Sequence, residues 1–181
     1  LCVGNLNKVK NHFQLIKYLE FSKLKYKLII VGKKLETQKN YFFKLNKIIK
    51  NINSQNSNKI NIYQNKKSEF IKKILNNSDI FILPSLEEGL SIALVEAMCS
   101  GTLCFVSKPS NHSKIIINKN NGFDFDLNKE SFMNTFRKIN HLQFNKREKI
   151  IKNAKQTVKK LILKNTIFEK KLINTLLLNH R

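Results

Sequence analysis

Residues 80–106 constrain the fold of this chain more than any other stretch. Ile80, Phe81, Ile82 and Leu83 form a short apolar run closed by Pro84, the pattern of a strand buried on both faces of a parallel sheet. A polar loop follows, carrying Glu87, Glu88 and Gly89. Ser91 stands where a helix N-cap is favoured, and Gly101 stands where a left-handed glycine ends a helix. Residues 102–106 read as the next strand. The order strand, loop, helix, strand is a βαβ unit. Ligands of such units bind at the carboxyl ends of the strands, here at the loop 85–90.

The same alternation runs along the rest of the chain. Strands are expected at 1–3, 27–31, 60–63 and 123–125. Helical spacing marks Leu15, Ile16 and Leu19; Tyr41, Phe42, Leu45, Ile48 and Ile49; Phe70, Ile71, Ile74 and Leu75; and Phe132, Met133, Phe136 and Ile139. A long helix is marked by Ile150, Ile151, Ala154, Val158, Leu161 and Ile162, and a last apolar stripe by Phe168, Leu172, Ile173, Leu176 and Leu177. The polar stretch 51–58 reads as a loop and 112–117 as a short helix. Together these predict an α/β fold, a doubly wound, Rossmann-like parallel sheet forming one domain over 1–181. Only five glycines occur, and each falls at an expected element boundary, as backbone demands at turns would require.

The helix after the loop is apolar nearly all round and is expected to be buried. Glu96 is its only charge. A buried carboxylate is costly unless paired, so Glu96 is either part of a structural ion pair or helix edge, or a ligand contact. Glu88 lies in the loop just before the helix, so both carboxylates could face one pocket. The helix N-terminus there offers unpaired N–H groups and a positive dipole end, which suit a phosphate.

Pro84, Ser85, Glu88, Gly89, Glu96, Ala97 and Gly101, in this order and spacing, resemble the signature of the retaining glycosyltransferases of family 4, which have the GT-B fold. The resemblance covers most of the chain and corresponds to the C-terminal, nucleotide-sugar-binding half of such an enzyme; the N-terminal acceptor half is not part of it. It implies that Glu88 contacts the donor sugar and Glu96 the ribose hydroxyls. Val3, Gly4, Asn5 and Leu6, followed by Lys10 and Asn11, resemble the family's first loop, usually Val-Gly-Arg-Leu and then Lys-Gly. There Lys10 takes the place of the lysine that holds the donor diphosphate, while Asn5 replaces an arginine. The resemblance thus implies a donor site of Gly4, Asn5, Lys10, Glu88, Gly89, Leu90, Ser91 and Glu96, with Glu88 and Lys10 acting in catalysis. The donor would be a UDP- or GDP-sugar. No metal or other cofactor is implied. Two departures stand out: Lys108, Pro109, Ser110 and Asn111 replace a common Gly-Gly stretch, and Lys114 replaces a common glutamate. A non-catalytic basic binding module that keeps the half-fold is the alternative of a different class.

Net charge is +22, from 34 Lys and Arg against 12 Asp and Glu. Such a balance suits a polyanion binder. Yet the lysines are scattered over nearly every helix, and Lys, Asn, Ile and Phe are all heavily used, as compositional drift would produce. The expectation is therefore weak contact with an anionic membrane and no specific nucleic acid. Cys2, Cys99 and Cys104 form no CxxC pair and are expected to be reduced and structural, which points to the cytoplasm, with contact at the cytoplasmic face of a membrane. The chain opens at Leu1 inside a strand-like run, and its methionines are Met98 and Met133, so a fragment or processed product is expected. No run of about 18 apolar residues is present to span a bilayer.

Overall fold

The computed structural model of the chain describes residues 1–55, 58–111 and 114–164. Strands and helices alternate: β1 (Cys2–Val3), α1 (His12–Phe21), β2 (Lys27–Gly32), α2 (Lys39–Gln55), β3 (Lys59–Gln64), α3 (Ser68–Asn76), β4 (Ile80–Leu83), α4 (Ile92–Ser100), β5 (Leu103–Ser107), β6 (Phe123–Phe125), α5 (Lys129–Asn140) and α6 (Phe144–Lys164). All strand pairs are parallel, in two three-stranded groups, β1-β2-β3 and β4-β5-β6. Leu1 joins the groups: its N–H donates to Ile80 O at 2.8 Å, and the Ile82 N–H donates to Leu1 O at 2.7 Å. This is the hydrogen-bond pattern of a parallel bridge. The joined order is 3-2-1-4-5-6, which reverses between β1 and β4. In a doubly wound sheet the ligand crevice opens at that reversal.

Strand residues alternate between the faces. Leu28, Ile30, Ile60, Ile82, Leu103, Phe105, Phe123 and Phe125 pack against α1, α2 and α5 on one face. Val31, Phe81, Leu83, Cys104 and Val106 pack against α3, α4 and α6 on the other. Phe105, Phe125 and Phe132 form the densest part of the first face, with ring centroids 4.5–5.1 Å apart. The three cysteines are free; Cys2 and Cys104 are buried and Cys99 is half-buried. Among the described residues no helix is long and apolar enough to cross a membrane.

The doubly wound parallel sheet expected from the sequence is present, and three local expectations are corrected. The stretch 51–58 is not all loop, because α2 continues to Gln55; the Asn53 side chain pairs with both backbone groups of Ile60, at 2.8 and 2.9 Å, and ties this last turn to β3. The described part of 112–117 is not helical. Residues 114–117 are irregular, and a 3-10 turn stands before them at Lys108–Asn111. Helix α4 is not wholly buried: Ile92 is 50% exposed, and Ala93, Glu96, Cys99 and Ser100 are half-buried. The apolar stripe of Phe168, Leu172, Ile173, Leu176 and Leu177 lies outside the described residues.

Candidate functional site

The loop after β1 is shaped by its smallest and its most polar residues. A Cβ on Gly4 would lie 3.0 Å from Lys10 Cε, so glycine leaves the lysine stem room to lie across the backbone. On Gly32 a Cβ would lie only 2.0 Å from the Gly4 carbonyl oxygen, so nothing larger than glycine fits where β2 passes β1. Leu6 is fully buried and its N–H donates to Lys33 O at 2.9 Å. Asn7 Oδ1 accepts the Lys10 N–H at 3.1 Å and caps the single 3-10 turn Lys8–Lys10. Asn11 then takes the left-handed conformation, φ 54° and ψ 34°. Asparagine tolerates that region better than most residues, which accounts for Asn where the resemblance has Gly.

This loop is pinned to the loop after β4. Asn11 Nδ2 donates to Pro84 O at 3.2 Å, and the Leu86 N–H donates to Val9 O at 2.8 Å. Two chain segments some 70 residues apart therefore meet at the carboxyl end of the sheet, beside the reversal of strand order. There Lys10 Nζ forms an ion pair with Glu88 Oε1, and Ser85 Oγ donates to the same oxygen at 2.9 Å. The side chains are only 19% and 12% exposed, so the pair is shielded from most solvent screening. A buried serine pair supports it from below. Ser107 Oγ donates to Ser85 O at 2.5 Å, Ser110 Oγ to Leu83 O at 3.0 Å, and the Ser110 N–H to Ser107 Oγ at 3.3 Å. The departure at Lys108–Asn111 thus forms a turn beneath the loop that carries Glu88.

Helix α4 begins beside this pair. Ser91 is its N-cap and accepts the Leu94 N–H at 3.4 Å. Gly89 is exposed and a Cβ there would meet nothing, while Leu90 is half-buried. Glu96 is the fifth residue of α4. Burial holds its carboxyl above the usual carboxylate range, and it has no ion pair or hydrogen-bonding side-chain partner among the described residues. The ion-pair reading of Glu96 therefore finds no partner there, and no contact links Glu96 to Lys10 or Glu88. Beneath Lys10 lies His12, fully buried. Its backbone N–H donates to Tyr41 Oη and its Nδ1 meets the same hydroxyl, both at 3.1 Å.

One part of the site escaped sequence reasoning. A cavity of about 360 Å³ opens at the carboxyl ends of β1, β2 and β3, lined by Gly4, Asn5, Gly32, Lys33, Asn65 and Lys66 among others. Asn5 is exposed on its rim. Lys10 is therefore joined by two further lysines near the first loop. The spacing of Lys33 and Lys66 carried no signal among so many basic residues; Gly32 was the nearest cue. Among the described residues, no cluster of His, Cys, Asp and Glu is placed to hold a metal ion.

The sequence profile of the family Glycosyl transferases group 1 matches residues 1–157. A curated relative, the UDP-Gal:alpha-D-GlcNAc-diphosphoundecaprenol alpha-1,3-galactosyltransferase of Escherichia coli, is 39% identical over 70 residues, covering 38% of this chain and 18% of the relative. Among solved structures, the C-terminal domain of a glycosyl transferase group 1 family protein from Francisella tularensis superposes with a TM-score of 0.74 at 19% identity, over 88% of this chain and 83% of that one. HepE of Anabaena, in complex with UDP and glucose, superposes with a TM-score of 0.78 at 20% identity, over 94% of this chain and 47% of its own. At such identities these two structures speak for the fold, the Rossmann-like half of a GT-B architecture. The chain spans less than half the length of HepE.

Proposed function

Since the chain belongs to the glycosyl transferases group 1 family, we propose that it supplies the donor-binding half of a family 4 transferase that moves a hexose, with retention, from a UDP- or GDP-sugar to an acceptor. The observation that carries this reading is the Lys10–Glu88 pair, held at the reversal of strand order beside the N-terminus of α4. Lys10 and the first N–H groups of α4 form a positive field for a diphosphate. That field stabilises the charge that develops on the leaving group, and it needs no metal. Glu88, already oriented by Ser85, turns toward the sugar once Lys10 engages phosphate. Glu96, half-buried and without a partner among the described residues, accepts from the ribose diol. Retention is supported by the family 4 pattern from Glu88 to Glu96 and corresponds to attack on the face the diphosphate leaves.

The relatives favour UDP over GDP, since HepE is solved with UDP and the galactosyltransferase is named for UDP-Gal. That relative's named acceptor is a lipid-linked diphosphate. We extend this to a membrane-presented acceptor at the cytoplasmic face, held by a second, acceptor-binding half. Val9, Leu86 and Ile92 leave an exposed apolar rim around the site, the kind of surface a second half would cover.

Calorimetric titration tests the reading. Wild-type chain is expected to bind UDP and, more weakly, uridine. Lys10→Ala removes a charge-assisted contact and is expected to weaken UDP about ten- to a hundredfold while leaving uridine unchanged. Glu96→Gln is expected to weaken UDP and uridine alike and to spare inorganic diphosphate, with the melting temperature preserved. Unchanged UDP affinity in Lys10→Ala would take the first loop out of the site. A wild-type chain that binds neither UDP nor GDP supports the non-catalytic module instead.

A further inference from the structure

Where the chain leaves β4, three consecutive carbonyls are met by side chains from distant parts of the sequence. Ser110 Oγ donates to Leu83 O at 3.0 Å, Asn11 Nδ2 to Pro84 O at 3.2 Å, and Ser107 Oγ to Ser85 O at 2.5 Å. Pro84 adds a fixed φ of its own. Ser85, Ser107 and Ser110 are at most 1% exposed, so the protein and not water sets the direction of each hydroxyl. Past Ser85 the chain changes character, because Leu86, Glu87 and Gly89 are exposed. Glu88 thus stands on an exposed loop whose last buried anchor is Ser85. Its carboxylate is held by Lys10 and by the Ser85 hydroxyl. When Lys10 turns to a diphosphate, the Ser85 hydroxyl is the one of these two contacts that remains.

We infer that Ser107 is a positioning residue for the donor hexose: by holding the Ser85 carbonyl it sets where the Ser85 hydroxyl, and with it Glu88, points. The inference rests on the donor-site reading and adds to it the residue that aims Glu88. Ser85 is held at both of its oxygens. Its carbonyl accepts from Ser107, and its hydroxyl donates to Glu88 Oε1 at 2.9 Å. Without the Ser107 hydroxyl the Ser85 carbonyl is a buried acceptor that has lost its donor, which is costly. The peptide then turns to find another, and the hydroxyl on the same residue turns with it. A shift of about 1 Å in a group that must face a reacting substrate is enough to matter. The Ser107 hydroxyl is itself fixed, since the Ser110 N–H donates to it at 3.3 Å and the Ser110 hydroxyl lies 2.8 Å away. Ser107 is fully buried at the end of β5, so it acts through Ser85 and not on the donor directly. A hydroxyl that served only to stabilise the end of β4 would change melting and leave the choice between UDP and a UDP-hexose untouched.

Calorimetric titration of the 181-residue chain with UDP, UDP-galactose and UDP-glucose tests it. The quantity read is the hexose gain, the ratio of UDP-hexose affinity to UDP affinity. Wild type is expected to show a gain with at least one of the two hexoses. Ser107→Ala is expected to lower that gain about five- to tenfold and to leave UDP within about twofold of wild type. Ser107→Thr returns the hydroxyl and is expected to restore the gain. Ser107→Cys keeps the shape but donates poorly, and it carries the same expectation as Ser107→Ala if that variant does not fold. Asn121→Ala removes a buried hydrogen-bonding side chain at the opposite end of the sheet and is the control for lost stability, with the gain expected intact. A chain that binds no UDP is titrated with GDP and GDP-mannose under the same expectations. A gain in Ser107→Ala equal to wild type overturns the inference and leaves the donor reading standing. So does an equal loss of nucleotide and nucleotide-sugar affinity, a loss in Asn121→Ala as large as in Ser107→Ala, or a wild type that binds the nucleotide with no hexose gain. A wild type that binds none of these ligands removes the donor reading, and the inference with it.

Discussion

His12 links the first loop to the core through one hydroxyl. Tyr41 Oη accepts the His12 N–H and can donate to Nδ1, which places the ring proton on Nε2. That nitrogen is buried and has no partner among the described residues. Burial, joined by the Lys10 charge nearby, holds the imidazole down at about 4. An unfolded chain takes up that proton near pH 6.5. Between pH 6.5 and 4 the unfolded state therefore binds a proton that the folded state refuses, and stability falls as pH falls through that window. The loss levels off below pH 4 and amounts to about 3 kcal/mol. Glu96 acts in the opposite sense, because its carboxyl is held high and folding favours its protonated form. Urea unfolding of wild type and His12→Gln between pH 7 and 4 separates the two. The wild type is expected to lose stability more steeply over the window, and parallel curves would mean that His12 ionises as freely in the fold as outside it.

At the scale of elements, asparagine side chains take the place of backbone partners. Asn53 pairs with Ile60, and Asn111 pairs with both backbone groups of Ile116 at 3.0 and 2.8 Å. Asn121, fully buried, accepts the Ile117 N–H at 2.7 Å and donates to Ile115 O and to Thr157 Oγ1, both at 2.9 Å. Ile115, Ile116 and Ile117 thereby run in irregular backbone with all three carbonyls and the N–H groups of Ile116 and Ile117 paired. This is why residues 114–117, within the helix expected over 112–117, are irregular instead: the deciding contacts come from asparagines that look like loop composition. Strands and long helices were legible because their apolar period is local. Glu88 and Ser91 were legible for the same reason, lying between one strand and one helix. The pairing of Lys10 with Glu88, and the cavity that gathers Lys33 and Lys66, depend on strand order and leave little local trace. Asn121→Ala is expected to cost about 1–3 kcal/mol, since it strands buried donors and acceptors, whereas Asn118→Ala, on an exposed neighbour, is expected to cost almost nothing. Urea midpoints compare the two, and equal costs would remove Asn121 from this bridging role.

Across the whole molecule, charge works against compactness. The net charge is +22, and the ion pairs seen among the described residues are few: Lys10 with Glu88, Lys39 with Glu36, and Lys108 with Asp126. The last two are exposed and contribute little. The remaining lysines repel one another over distances up to about a Debye length, which is about 10 Å at 0.1 M salt and 30 Å at 0.01 M. Folding brings these charges closer, so self-repulsion disfavours the folded state most at low ionic strength. Stability is therefore expected to rise with sodium chloride between about 0.01 and 0.3 M, by about 1 kcal/mol or 2–4 °C in Tm. Chloride is the salt of choice, because sulfate also strengthens burial by exclusion from the surface. It could besides occupy a phosphate site. The same measurement on a variant with Lys47, Lys50 and Lys73 changed to Gln separates repulsion from a general salt effect. These three positions are exposed and lie apart from the cavity beside the first loop. The variant is expected to be more stable than wild type at low salt and to respond less to added salt. A Tm that falls with chloride would show that the ion pairs outweigh the repulsion, and that the lysine excess is neutral to the fold.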